Sequence, residues 1–439
     1  MKLEIREDST NYACSVVQIG KVFDIEGADK VKRVVVNGNN VVVSNSVKEG
    51  DKMLYFVSGT RLNGDYCHKN NLFEKHESNY DTTKRGFINS KQRVKAIKLR
   101  GVISDGMLMP MDSLLPFLEQ GSINSLKVGD EFTTINGTDL CKKYIIKIKQ
   151  EGQSNSEKNK GKVKKFDRLV ENQFYLHGDT SNLRKNMHNI HPNTVIGVST
   201  KKHGCSAVFA NILTKKQLNW KERLVKRFGI PVVEEVYDII YSSRKVIKNK
   251  NINPDQGGGF YGEDIWGVVA KEIGHLIPKN YTLYGEILGY TPSGSFIQKG
   301  YDYGCAEGEH KFYVYKISVV NPSGQVIFLS DPQIEEFCEK VGLNFKDTVI
   351  YQGKAKDMYP NIILDHEWRD KFLAQLEKDY NEKDCYMCTN KVPEEGIILR
   401  VDKLDSYEAY KLKSKRFLLM EDEEQEQGIA NIEDSQNEH

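Results

Sequence analysis

Val195-Ile-Gly-Val-Ser-Thr-Lys-Lys-His-Gly204 joins a short apolar run to two lysines, a histidine and a glycine. A run of this length, β-branched and closed by glycine, reads as a strand that delivers a basic tetrapeptide at its end. Further strand-like runs follow at 208–213, 281–288, 312–320 and 396–401. Between them Ile334, Phe337, Cys338 and Val341 recur at helical spacing, and Trp368, Phe372, Leu376 and Tyr380 recur every four residues. This mixture predicts an α+β domain of antiparallel sheets with flanking helices over residues 171–420.

Residues 1–135 read as a separate β domain. Val34-Val-Val36 and Val41-Val-Val43 flank Asn37-Gly-Asn-Asn40, a hairpin signal because Asn and Gly tolerate positive φ in a tight turn. Strand-like runs at 53–57, 94–99 and 106–109 complete the set expected of a small barrel. Residues 136–170 read as a basic flexible linker, with nine lysines against two glutamates between 142 and 165; that composition suits a solvated segment and phosphate contacts alike. Residues 421–439 hold eight acidic residues and no lysine or arginine, which predicts an acidic disordered tail.

The 439 residues are ample for two cores, and charged residues at 28% with hydrophobic residues at 39% fit a soluble protein. No apolar run is long enough to span a bilayer, and the first residues lack an apolar signal core, so the expected location is cytoplasmic, without a membrane partner. The eight cysteines are scattered, which points to reduced thiols. Cys385 and Cys388 are the one close pair; structural thiols come first, with half a zinc site or a redox pair as alternatives.

Downstream of Lys201-Lys-His-Gly204 come Ser243-Arg244, Tyr284-Gly-Glu-Ile287, Phe312-Tyr-Val-Tyr315, Glu394-Glu-Gly-Ile-Ile-Leu-Arg400 and Tyr410-Lys-Leu-Lys413. In that order they resemble motifs I, Ia, III, IIIa, IV and V of the covalent nucleotidyltransferases, enzymes that carry a nucleotide on the lysine of Lys-x-(Asp/His)-Gly. The stretches 296–303, 312–318 and 335–338 look like corresponding runs in the type-2 RNA ligases of T-even phages and RNA-editing systems. His203, where DNA ligases usually carry Asp, points the same way. Blocks at 25–29, 47–51 and 99–110 are similar to the N-terminal OB-like domain of Deinococcus-type RNA ligases, a module that helps engage nicked duplexes.

The resemblance implies an ATP-dependent RNA ligase requiring Mg2+ or Mn2+ and acting on RNA with 3′-hydroxyl and 5′-phosphate ends, nicked duplex foremost. It implies Lys201 as nucleophile, since Lys201 and not Lys202 stands two places before His203. His203 and Gly204 would complete the nucleotide-binding turn. Arg244 would contact ribose and the RNA terminus, Glu286 would hold the ribose, and Tyr315 would stack on adenine. Glu395 would help bind nucleotide and metal, and Lys411 with Lys413 would grip phosphates and assist catalysis. Physical chemistry agrees: carboxylates accept ribose hydroxyls, aromatic faces stack on bases, and lysines at i and i+2 of a strand share a side.

The sequence departs from the pattern where Thr200 replaces Glu, Cys205-Ser206 replaces Thr-Asn or Thr-Ser, Lys316 replaces Asp and Arg400 replaces Lys. The runs 217–228 and 256–261 read as lids or substrate-facing loops. Rival readings are a DNA ligase or capping enzyme, both of which usually carry an OB domain after motif V, and a non-catalytic RNA-binding protein whose transferase fold has decayed. Only 26 residues follow Lys413 and the motif residues are intact, which favours the RNA ligase.

Overall fold

The computed structural model describes residues 2–118, 123–145, 168–248, 261, 263–346 and 349–427. Most of the expected linker, the glycines at 257–259 and the end of the acidic tail lie outside the described residues.

In the N-terminal part the main strands are β1 (Cys14–Gln18), β2 (Val22–Ile25), β3 (Ala28–Val36), β4 (Asn39–Ser44), β5 (Lys52–Phe56), β6 (Ala96–Leu99), β7 (Met107–Pro110) and β8 (Glu131–Phe132). The β3–β4 hairpin turns on Asn37 (φ 48°) and Gly38 (φ 73°), the two positive φ values that a tight hairpin of the observed hand requires. The strands form short antiparallel sheets, one in the order β7-β5-β1-β8 and one in the order β2-β3-β4. Alternation along them buries Val16, Leu54, Phe56 and Phe132 on one side and Val34, Val41, Met53 and Tyr55 on another, so this region has two apolar clusters of its own.

The second part contains two large sheets. Its main strands are β9 (Val195–Lys201), β10 (Cys205–Lys215), β11 (Glu235–Ser243), β12 (Tyr281–Gly289), β13 (His310–Val320), β14 (Val349–Lys354), β15 (Gly396–Asp402) and β16 (Tyr407–Lys413). Its main helices are α1 (Trp220–Arg227), α2 (Ile265–Ile273), α3 (Asp331–Val341), α4 (Trp368–Leu376) and α5 (Lys415–Glu426). One sheet runs β11-β10-β12-β13 and continues into Val326–Phe328; the other places β16, β15, β9 and β14 side by side.

Each sheet lays one face on helices. Phe209, Leu283, Ile287, Val314 and Ile317 pack with Trp266 of α2 and Ile334 of α3. Ile196, Val198, Ile397, Leu399 and Leu412 pack with Trp368, Phe372 and Leu376 of α4, as the four-residue spacing predicted. Tyr380 falls in a wider π-type turn over Glu377–Asn381. The remaining faces look at each other, and Arg400 of β15 spans the gap to donate to the Tyr315 carbonyl at 3.2 Å.

One expectation changes. The acidic tail is expected to be disordered from 421, but over 421–426 it is the end of α5, where Glu421 meets the partly buried Lys413 and Asp422 the buried Arg93. Charge pairing supplies the ordering that apolar burial could not. Among the described residues no helix is long and apolar enough to cross a membrane. All eight cysteines are free thiols, and Cys385 and Cys388 share a hydrogen bond.

Phe372 is fully buried, stacked on Trp368 and edge-on to Tyr359. Phe372→Ala should lower the unfolding free energy by about 3–5 kcal/mol, checked by denaturant titration.

Candidate active site

β9 ends on Lys201 and β10 starts at Cys205, so the tetrapeptide forms the crossing from one sheet to the other. Register brings the basic residues together. Lys201 pairs with Gly396 on β15, and Gly396 pairs with Lys413 on β16, which aligns three positions across three adjacent strands. Glu395, at the mouth of β15, lies between the two lysines: its Oε2 is 2.8 Å from Lys201 Nζ and its Oε1 is 3.8 Å from Lys413 Nζ. Glu395 is nearly fully buried, which makes its cationic partners necessary.

Gly396 has φ 145°, and a Cβ there would lie 2.1 Å from the Leu412 carbonyl oxygen, so only glycine allows β15 and β16 to close beside Glu395. Gly204 meets a similar constraint, since a Cβ would sit 2.4 Å from the Ile287 carbonyl oxygen. Its N–H donates to Glu286 Oε1 at 3.2 Å, and its carbonyl accepts from Gln298 at 2.6 Å. The tetrapeptide is thereby fastened to β12.

The adjacent lysines diverge. Lys202 turns from the inter-sheet space towards Glu394, 3.9 Å away, and lies over the Tyr386 ring at 4.7 Å. His203 is buried edge-on to Tyr301 and Phe417, with ring centroids at 5.0 and 4.8 Å. Burial outweighs the attraction of Glu395 and lowers its pKa to about 4, so the ring is neutral near pH 7. Burial also raises Glu394 to about 8, against the pull of Lys202.

Lys411 shares the Lys413 face of β16. Burial lowers its pKa to about 8; Asp179 opposes the shift, and Lys413 and Arg244 add to it. Arg244 is ion-paired with that same Asp179. Tyr315 stands at a bulge: Tyr284 pairs with Lys316 and Gly285 with Val314, leaving Tyr315 as the extra residue. Its hydroxyl is 3.4 Å from Ser206 and its ring centroid 5.4 Å from that of His177. The structure thus gathers Lys201, Glu395, Lys413 and His203 in one contact network. Gly204 and Glu286 adjoin it, Arg244 and Lys411 share Asp179, and Tyr315 lies further along the inter-sheet face.

Comparison with known proteins gives this geometry a family. Residues 198–413 match the RNA ligase family model, and residues 13–111 match an OB-fold domain model. Residues 198–413 form an RNA ligase domain. No curated protein matches the chain. Among solved structures the chain is similar to Naegleria gruberi RNA ligase: a mutant without ligand (TM-score 0.59, 16% identity, 96% of this chain and 100% of that one) and the enzyme with pyrophosphate (TM-score 0.59, 17% identity, 95% and 100%). A third structure, a mutant with ATP and Mn, gives TM-score 0.56 at 15% identity over 95% and 98%. At these identities the likeness speaks for the fold.

In the RNA ligase domain the departures at Lys316 and Arg400 are accommodated together. Arg400 takes Asp402 at 2.6 Å and Asp331 at 3.2 Å, so its carboxylates come from elsewhere than position 316. Lys316 lies instead among the rings of Tyr284, Phe328 and Tyr407, with Nζ 3.6 Å from the Tyr284 centroid. Sequence reading missed Asp179, which no motif marks, and Glu421, which the acidic run disguised. Glu421 lies eight residues after Lys413, on the helix that follows β16, and no periodicity in the sequence links a strand residue to a helix residue in this way.

Burial first, and Arg400 second, lower the Lys316 pKa from 10.5 to about 7. Between those values the unfolded chain binds a proton that the folded chain lacks, so stability rises with pH; the cost of Lys316 is full below about 7 and gone above 10.5. Lys316→Met should therefore raise the melting temperature at pH 7 by several degrees, the gain shrinking as pH rises towards 10, checked by calorimetry across that range.

Proposed function

We propose that this chain is an ATP-dependent RNA ligase that joins a 3′-hydroxyl to a 5′-phosphate in the cytoplasm, with nicked duplex as its preferred substrate. The observation that carries the reading is the alignment of Lys201, Glu395 and Lys413 across β9, β15 and β16. Lys201 Nζ attacks the α-phosphorus of ATP; a P–N bond forms, the P–O bond to pyrophosphate breaks, and the amine gives up its proton. The attack requires a neutral amine; Lys411 and Lys413 weigh towards it, against Glu395, which at 2.8 Å favours the ammonium until the triphosphate and its metal engage that carboxylate. The RNA 5′-phosphate then takes AMP from Lys201, and the 3′-hydroxyl displaces AMP to form the phosphodiester. Glu286 fits the ribose, Tyr315 the base, Arg244 the ribose and RNA end, and Lys411 and Lys413 the phosphates. His203 and Gly204 hold the turn that presents Lys201. The ATP and Mn carried by a Naegleria gruberi RNA ligase structure support the choice of nucleotide and metal.

Among the described residues no group of three or more His, Cys, Asp or Glu could hold a metal. Mg2+ or Mn2+ fits when triphosphate oxygens supply most of the ligands, because such ions use one or two carboxylates together with phosphates. Glu395 is the carboxylate suited to that part. The ion would stabilise charge on the transferring phosphate.

Lys201→Ala should abolish transfer of 32P from α-labelled ATP to the protein while RNA affinity persists. An adduct that survives would make Lys202 or another lysine the nucleophile, and a wild-type chain that takes no label would favour the non-catalytic RNA-binding reading. In end-joining assays nicked RNA duplex should be sealed faster than single strands.

A further inference from the structure

Lys413 has a second partner that the ligase reading does not use. Glu421 of α5 accepts from Lys413 Nζ with both oxygens, at 3.1 and 3.0 Å, while Glu395 stands 3.8 Å from the same ammonium. The side chains of Glu421 and Lys413 are largely shielded from water. Burial opposes the Glu421 charge, yet Lys413 outweighs it and holds the carboxyl down at about 2. Lys413 thus sits between two carboxylates and is held by the one outside the motifs.

The helix that carries Glu421 is fixed at both ends. At its start Ser414 caps it, accepting from the Phe417 N–H at 3.0 Å and donating to the Glu394 carbonyl at 2.9 Å. Along its far half it docks on the N-terminal part of the chain. Asp422 pairs with the buried guanidinium of Arg93 and accepts from the Ala96 N–H. Lys91 Nζ donates to the carbonyls of Gln425 and Glu426 at 2.9 and 3.3 Å, a favourable place for a cation because a helix C-terminus carries partial negative charge. Lys95 pairs with Glu426. Neighbouring residues of one helix, Glu421 and Asp422, therefore hold an active-site lysine and the N-terminal domain respectively.

We propose that Glu421 is a positioning residue for lysine adenylylation: it keeps the Lys413 ammonium off Glu395 and directed at the phosphates, in a register set by the grip of Arg93 on Asp422. The N-terminal domain thereby takes part in the first chemical step, in addition to any role in engaging RNA. The physical reason is competition. A lysine freed from Glu421 has a buried carboxylate 3.8 Å away, and collapse onto it would draw Glu395 from Lys201 and the metal. The proposal rests on the ligase reading given above.

Single-turnover transfer of labelled AMP from ATP to the full-length protein tests it. Glu421→Gln keeps the shape of the side chain and removes its charge. It should slow transfer at saturating ATP by on the order of ten- to a hundredfold, with the half-saturating ATP concentration within about twofold of wild type. Glu421→Asp should restore part of the rate, at a temperature well below the melting transition of each variant. Asp422→Asn should give a smaller loss of the same kind. The double variant should be no slower than Glu421→Gln alone, because both changes act through one side chain. Wild-type rates in Glu421→Gln, a deficit confined to half-saturation, or losses that multiply in the double variant would overturn the proposal. Those results, obtained with a wild-type chain that labels normally, would leave the ligase reading intact; a wild-type chain that takes no label would overturn that reading.

Discussion

A buried carboxylate among cations organises this molecule. Glu395 is almost removed from water and meets Lys201, Lys413 and the His203 ring edge. A lone carboxylate in that place would be costly, and a lone ammonium equally so. Mutual pairing lowers the cost only while the strands that bear the groups stay in register. The glycines at 204 and 396 serve that register by letting backbones approach where a side chain would collide. Charge and sheet geometry are here a single constraint.

The same constraint explains where sequence reading succeeded. Residues 195–204 were legible because a β-branched run and a glycine have few alternative conformations, and Asn37-Gly38 for a similar reason. Trp368, Phe372 and Leu376 were legible because their spacing matches one helical face. Lys201 and Lys202, adjacent in the sequence, are found with different carboxylates, Glu395 and Glu394.

The rest was hidden because it depends on partners remote in the chain. Asp179 gains its meaning from Arg244, and Lys316 from three rings on separate strands. Glu421 and Asp422 looked like tail residues because acidic composition is read locally, whereas their order comes from Lys413 and Arg93. Lys316 and Arg400 looked like two unrelated departures; across the gap between sheets they share the Tyr407 ring as a neighbour.

The docking of α5 joins positions far apart in the chain, Arg93 to Asp422 and Lys91 to Gln425. Chains are made from the N-terminus, and long-range contacts form late. Lys201, Glu395 and Lys413 are all synthesised before the helix that braces them. During translation Lys413 meets Glu421 only once α5 has left the ribosome. The geometry of the site is therefore completed by one of the last described segments to be made.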